Sequence, residues 1–345
     1  MHKLLIDEPG KKMLLLGNEA IARGAIEAGV AFATTYPGTP SSEISLSLFQ
    51  MSQQCDLYFE YSTNEKVALE VAAGAAISGV KTMFMMKHVG LYVAADPLMT
   101  LAYVGVKAGL VILTADDPFM FSSQNEQDNR YYGKLSGLSI IEPSSVEEAK
   151  EMIPYAFDLS EKLQEPVLFR TTTRINHSTG IVTLGSIAER ITKGDFTKDP
   201  FNLVTVPAVS RKLHVKLLEN IQKAQAISET SEYNFSSGKG PWGIVCNGVS
   251  YNYVCDAVKD LEIEDKVNIL RIGFSHPLPE NLIKEFAAGC EKILVAEEGE
   301  PYLEEAGRSI AQEAGITIPI QGKGDALFSR LYEFNPSLVR KVVAK

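Results

Sequence analysis

STNEKVALEVAAGAAISGVKTMFMMKHVGL, residues 62–91, opens with a polar turn and an acid, Glu65. It continues through small residues, Ala68, Ala72, Ala73, Gly74, Ala75, Ala76, Ser78 and Gly79, at helical length. An apolar run, Thr82 to Met86, reads as a strand, and Lys87-His88-Val89-Gly90 as the polar turn after it. A helix with so little side-chain bulk lets another surface approach its backbone closely. A carboxylate at one end and a polar loop at the other make this stretch a candidate site.

Working outward, short apolar runs alternate with helical segments. Strands are expected at 13–16, 30–36, 57–61, 82–86, 110–114, 139–141 and 166–170, with helices at 20–28, after Glu43, at 91–104 and at 146–163. Ser145 and Glu148 have capping-box spacing for the last of these, and the loop Pro37–Ser42 is placed to cap the helix after Glu43. This alternation predicts a mostly parallel sheet covered on both faces. Residues 181–210 read as an irregular crossing segment, 211–229 as a charged linker helix and SEYNFSSGKG as a flexible join. A second alternation follows, with strands at 243–246, 267–271, 292–296 and 317–320 and helices at 250–260, 279–288, 301–313 and 325–333. The expected division is 1–190, a crossing and linker segment 191–240, and 241–345.

Composition limits the function. Across 345 residues, 45% are hydrophobic and 22% charged, as in ordinary globular proteins. A net charge of -10 argues against nucleic acid or an anionic membrane as the main partner. No run reaches the length of a membrane span, and no signal peptide is legible, so a cytoplasmic location is expected. The four cysteines, Cys55, Cys246, Cys255 and Cys290, form no CxxC pair, so neither a zinc site nor an iron–sulfur ligand set is read here.

Open α/β sheets bind ligands beyond the carboxyl ends of their strands. The loops expected there are Gly17–Glu19, Tyr36–Ser42, Ser62–Glu65, Lys87–Gly90 and Asp116–Arg130. Glu65 reads either as a first-turn acid favoured by the helix dipole, with Asn64 or Ser62 as N-cap, or as a carboxylate that meets a heterocycle nitrogen. Glu70 competes but lies further from the loops. His88 on a strand-end loop is structural or catalytic, and Lys87 beside it can hold an anion. Ser122–Asp128 reads equally as a solvated loop or a polar grip. No GxGxxG follows a strand and no phosphate-binding P-loop is present.

A family resemblance resolves these alternatives. YPGTPSSEI at 36–44, STNEKVALEVAAGAA at 62–76, MKHVGL at 86–91, AADPL at 94–98, ADDP at 115–118, SSQNEQDNR at 122–130 and TTTR at 171–174 resemble the alpha subunits of indolepyruvate:ferredoxin oxidoreductases. GVSYNYV at 248–254, HPLPENLIKEF at 276–286 and EEGEPYLEE at 297–305 extend the resemblance to the second half. It implies the thiamine-diphosphate-dependent 2-oxoacid:ferredoxin oxidoreductases. The fold implied is α/β with two parallel-sheet domains, a pyrimidine-binding domain and a transketolase C-terminal-like domain.

The resemblance implies that Glu65 contacts the aminopyrimidine of the cofactor, with Asn64, Gly38 and Gly90 beside it. It places Thr39 and Ser41, the Lys87-His88 loop and Ser123, Gln124 and Asn125 near the substrate, with His88 a second catalytic candidate. Gln124 stands near where pyruvate-specific relatives carry an arginine, which fits an aryl 2-oxoacid of the indolepyruvate, phenylpyruvate or phenylglyoxylate type. Long relatives continue into a diphosphate-binding domain and a ferredoxin-like tail, whose motifs are not found in these residues. The expectation is a heteromer with two copies of this chain. Its partners would be a chain carrying the diphosphate-binding domain, a gamma-type oxidoreductase chain, and a ferredoxin or iron–sulfur subunit. Thiamine diphosphate would be shared with a partner, Mg2+ and iron–sulfur clusters would sit on partner chains, and coenzyme A would be co-substrate. A non-oxidative decarboxylase split over two chains and a non-catalytic assembly subunit are the competing readings.

Overall fold

A computed structural model describes residues 2–345. Its fourteen strands, in chain order, are β1 Lys12–Leu16, β2 Phe32–Thr35, β3 Tyr58–Tyr61, β4 Thr82–Lys87, β5 Leu110–Asp116, β6 Ile140–Ile141 and β7 Val167–Thr172, then β8 Thr179–Thr183, β9 Asn234–Gly238, β10 Trp242–Asn247, β11 Val267–Ile272, β12 Phe274–His276, β13 Lys292–Ala296 and β14 Ile320–Gln321. They form a seven-stranded sheet of order β12-β6-β7-β5-β4-β2-β3, a five-stranded sheet of order β14-β13-β10-β11-β9, and a β1–β8 ribbon. The α/β class with two mainly parallel sheets is as expected; only β12 and β9 pair antiparallel within the large sheets.

Side-chain alternation explains why the first sheet is buried on both faces. Met83, Met85, Val111 and Leu113 join one apolar cluster with the helices Gly17–Glu27 and Val146–Leu163. Phe84, Met86, Leu110 and Ile112 join another with Glu65–Ile77 and Ala95–Val104. Successive strand residues point to opposite faces, so both strands read as continuous apolar runs.

Several local expectations are corrected. The Lys87–Gly90 turn is the start of a helix, His88–Val93, and the single helix foreseen over 91–104 is two, broken at Ala94. Pro97 explains the break: in an unbroken helix it would offer no N–H to the Val93 carbonyl and its ring would clash there. The join SEYNFSSGKG contains β9, which pairs with β11 and packs Phe235 beside Arg271. The irregular segment holds β8 and a short helix, Pro200–Leu203. Ser41 does not cap the next helix; its hydroxyl donates to the Gly38 carbonyl at 3.0 Å.

Residues 325–333 form turns rather than a helix. The Glu304 carboxylate takes the backbone N–H of Lys323 and Gly324, and Phe328 and Phe334 stack in the core. The helix comes later, at Pro336–Val343, capped by Asn335 with proline in its first turn.

The two halves are tied together. β12 completes the edge of the first sheet against β6. Arg130 is fully buried and donates to Asp128, to Glu297 Oε2 at 2.6 Å and to the carbonyls of Glu298 at 2.8 Å and Glu300 at 3.1 Å. Arg170 joins Asp116 and Glu142, and Asn247 from β10 also donates to Glu142. Burial pushes the Asp128 carboxyl up, but the two arginines outweigh it and hold it well below the ordinary range. Glu297 receives only one Arg130 nitrogen, and burial leaves it raised.

Candidate active site

The candidate residues gather where β2, β3, β4 and β5 end, which follows from parallel strands delivering their loops to one edge. Glu65 is the first residue of its helix, and Asn64 is the N-cap: its Oδ1 accepts the Val67 N–H at 2.9 Å. Asn64 is therefore engaged in capping. The Glu65 side chain is only 7% exposed, and burial raises its carboxyl above the ordinary range against a smaller opposing pull from its own backbone N–H.

Gly90 makes room for that carboxyl. A Cβ on Gly90 would lie 2.7 Å from Glu65 Oε1 and 2.7 Å from Glu65 Cγ. The two ends of the opening stretch thus meet in space, Glu65 lying against the bare backbone of Gly90.

A second meeting links three loops. A Cβ on Gly38 would lie 2.7 Å from Lys87 Cδ, and Lys87 Nζ donates to the Ser122 carbonyl at 2.7 Å. Lys87 therefore spans from the Pro37–Ser41 turn to the 117–129 segment. Thr39 is half-buried in that turn, ahead of a cis bond to Pro40, and Ser41 is buried.

The 117–129 segment is held by its own acids. Asp117 accepts from the Ser122 N–H at 2.9 Å, the Ser123 hydroxyl at 2.7 Å and the Thr173 hydroxyl at 2.8 Å. Burial pushes the Asp117 carboxyl up, and these donors outweigh it, leaving it below the ordinary range. Ser123 is thus committed to the loop, and Gln124 is exposed. The Asn125 carbonyl accepts from His88 Nε2 at 3.0 Å, so the fully buried His88 lies beneath this turn. Tyr92 donates to Gln127 Oε1 at 2.5 Å, pinning the next residue but one.

Asp116, Asp117 and Asn129 lie in the expected Asp116–Arg130 loop but are not among the individual site residues expected, though they shape the site. The signal was in ADDP, where two adjacent acids close an apolar strand: one must turn inward and find donors, which Arg170 and Asn129 supply to Asp116. Among the described residues, no group of three or more His, Cys, Asp or Glu side chains could hold a metal ion, and no helix is long and apolar enough to cross a membrane.

With this geometry in hand, comparison with known proteins is decisive for the family. Residues 23–202 match the family described as pyruvate flavodoxin/ferredoxin oxidoreductase, thiamine diphosphate-binding. The chain belongs to that family. The pyruvate flavodoxin/ferredoxin oxidoreductase segment thus covers β2 to β8, every strand of the candidate site included. Indolepyruvate oxidoreductase subunit IorA of Methanothermobacter thermautotrophicus is 46% identical over 100% of this chain and 56% of its own length. The subunit of the same name from Thermococcus kodakarensis is 47% identical over 99% of this chain and 54% of its own.

The chain spans about half the length of these curated relatives. 2-Oxoglutarate synthase subunit KorA of M. thermautotrophicus is 31% identical over 50% of this chain and 48% of its own. Among solved structures, a 2-oxoglutarate:ferredoxin oxidoreductase from Magnetococcus marinus superposes with a TM-score of 0.76 at 18% identity, covering 96% of this chain and 65% of that one. A split-gene transketolase superposes at 0.60 with 15% identity, covering 96% and 97%. These two speak to the fold, which they share across both sheets. The resemblance drawn from the motifs and the fold implied by it are borne out.

Proposed function

We propose that this chain is a subunit of a thiamine-diphosphate-dependent 2-oxoacid oxidoreductase and that Glu65 is its contact with the cofactor ring. The observation that carries the reading is the Glu65–Gly90 arrangement: a carboxyl raised by burial, with no side-chain partner, lying against backbone that a Cβ would fill. Such a group fits a ring nitrogen with which it can share a proton. Thiamine diphosphate, when bound, supplies the carbon nucleophile and electron sink for decarboxylating a 2-oxoacid.

The chain's own residues bind and position. Glu65 holds a proton at its carboxyl oxygen for the ring. Gly90 makes room for the Glu65 carboxyl and Gly38 for the Lys87 side chain on the cofactor side, and Asn64 fixes the start of the Glu65 helix. Thr39 and Ser41 border the substrate from the 37–41 turn, Lys87 contributes positive charge to its carboxylate, and His88 with Ser123, Gln124 and Asn125 shapes the opposite wall. The exposed Tyr36, Leu46, Phe49 and Tyr61 beside this edge suit a protein interface. We assign that interface to a chain or domain carrying the diphosphate and its Mg2+. The substrate is an aryl 2-oxoacid of the indolepyruvate type, the acyl group passes to coenzyme A and the electrons to ferredoxin through iron–sulfur partners. The name of the relatives, indolepyruvate oxidoreductase subunit, supports the substrate class and a multi-subunit enzyme.

The test is Glu65→Gln in the assembled enzyme. Loss of a positioned proton donor lowers turnover by roughly 10²–10⁴-fold, while assembly, followed by size-exclusion chromatography, survives. Turnover within twofold of wild type would sink the assignment.

A further inference from the structure

We propose that the helix His88–Val93 is a clamp that sets the position of residues 122–127, and that Tyr92 is a positioning residue of the site. The clamp stands on hydrogen bonds; its bearing on the substrate rests on the function proposed above.

Residues 122–127 need outside support. Among the described residues, no backbone-to-backbone hydrogen bond involves any of them. A segment without a ladder of its own is placed by whatever side chains reach it. Asp117 holds its start, through the Ser122 N–H and the Ser123 hydroxyl. Glu126 accepts from the Phe119 N–H at 2.9 Å, within the same loop. Among the described residues, the remaining hydrogen bonds to the segment all come from residues 87–92. Lys87 Nζ donates to the Ser122 carbonyl at 2.7 Å. His88 Nε2 donates to the Asn125 carbonyl at 3.0 Å, since a carbonyl only accepts. The Tyr92 hydroxyl donates to Gln127 Oε1 at 2.5 Å.

The helix divides its two faces between two tasks. His88 and Tyr92 are four residues apart and so lie one above the other, their rings edge to face with centroids 6.1 Å apart. Gly90, about half a turn round the helix from both, meets Glu65 with its bare backbone. One short element therefore borders the candidate cofactor contact on one side and grips the substrate-side wall on the other. Its start is tied to β5, because the Asn129 side-chain amide donates both to the His88 carbonyl at 3.2 Å and to the Thr114 hydroxyl at 2.6 Å. Leu91 anchors it in the apolar cluster beneath.

Tyr92 is built to hold rather than to react. Its ring stacks on Tyr132, with centroids 5.8 Å apart and planes 16° from parallel. Burial, with Asp116 and Asp128 nearby, raises its phenol well above the ordinary range, so it keeps its hydrogen and donates at neutral pH. It is assigned no contact with cofactor or substrate, and acts through Gln127 on the wall formed by Ser123, Gln124 and Asn125.

The test is Tyr92→Phe in the assembled enzyme, which removes the hydroxyl and leaves the ring on Tyr132. Cleavage after Glu126 by a glutamate-specific protease, located by mass spectrometry, reports how often the segment opens. It should quicken roughly two- to tenfold, the worth of one hydrogen bond. KM for indolepyruvate should rise by a similar factor while kcat falls by less than about twofold. Affinity for thiamine diphosphate should not change, because Glu65 meets the opposite face. Tyr132→Phe keeps the stack and should leave all four quantities at their wild-type values.

Cleavage after Glu126 no faster in Tyr92→Phe than in wild type overturns the clamp, and that readout needs no substrate. Faster cleavage with an unchanged KM overturns the positioning role. So does a fall in kcat and in thiamine diphosphate affinity as large as the rise in KM, which would mark general damage. An assembled wild type that does not turn over indolepyruvate strikes the proposed function alone, and cleavage after Glu126 still decides the clamp.

Discussion

Gly90→Ala separates the stability of this edge from its function. Gly90 is the third residue of the helix His88–Val93, where alanine is worth roughly 0.5–1 kcal/mol more than glycine. Against this, the new methyl would lie 2.7 Å from Glu65 Oε1 and Cγ. If Glu65 could not move, such overpacking would cost about 1–3 kcal/mol. The atoms met are the end of a flexible side chain, so the carboxyl swings aside and recovers most of that cost. The net change in folding stability should then stay within about 1 kcal/mol.

On the role proposed for Glu65, the displaced carboxyl would forfeit its bond to the cofactor ring, worth roughly 1.5–3 kcal/mol for a charge-assisted hydrogen bond. That is about a tenfold to hundredfold loss of affinity. Calorimetric titration of the assembled enzyme with thiamine diphosphate measures the second quantity and urea unfolding of the chain the first. Wild-type affinity together with a stable fold would refute the reasoning, because the methyl would then have been accommodated without disturbing Glu65.

Two further predictions concern buried charge. Arg130→Met leaves Asp128 and Glu297 without their shared cation and should destabilise the chain by about 3–5 kcal/mol in urea unfolding; a change below about 1 kcal/mol would mean the network is not held as described. Glu165 is 1% exposed, and burial raises its carboxyl from the ordinary 4.5 to about 7, with Asn220 and two lysines opposing only in part. The folded state therefore holds this proton more tightly than the unfolded chain does. Stability is unpenalised below about pH 4.5 and falls as the pH rises towards 7, by up to about 3 kcal/mol. Glu165→Gln should be more stable than wild type at pH 8, and the gap should close towards pH 4.5; a gap that stays constant with pH contradicts this.

Local patterns carried much of the fold into the sequence. The helix Val146–Leu163 was legible because its apolar face is periodic and Ser145 accepts the Glu148 N–H at 3.2 Å. Even there the capping box is half realised, since the Glu148 carboxylate turns to Ser144 and Arg271. β12 was invisible because three residues, Phe-Ser-His, become a strand only through pairing with Ile140–Ile141 far away in sequence. The 325–333 segment misled for the same reason: distant Glu304 takes the amides of Lys323 and Gly324 just before it, and Phe328 and Phe334 are drawn inward.

Glu65 stood out as an acid opening a small-residue helix, but its nearness to Gly90 is a tertiary fact that no local pattern encodes. His88 was legible as a strand-end histidine, whereas its burial under Asn125 depends on how the polar 117–129 loop folds back, and that rests on Asp116, Asp117 and their donors.

The placement of β12 has a consequence for how the chain is made. Its strand order requires residues 274–276 to close an edge laid down at residues 140–141, more than a hundred residues earlier in synthesis. At typical elongation rates that interval is on the order of ten seconds. Throughout it, β6 presents unpaired backbone groups to the crowded surroundings of the ribosome, the kind of template on which strands of other chains add. The nascent first sheet is therefore an aggregation-prone intermediate by construction. Charging the β12 side of the interface, for instance Phe274→Asp, should lower soluble yield in cell-free translation unless a holdase chaperone is supplied.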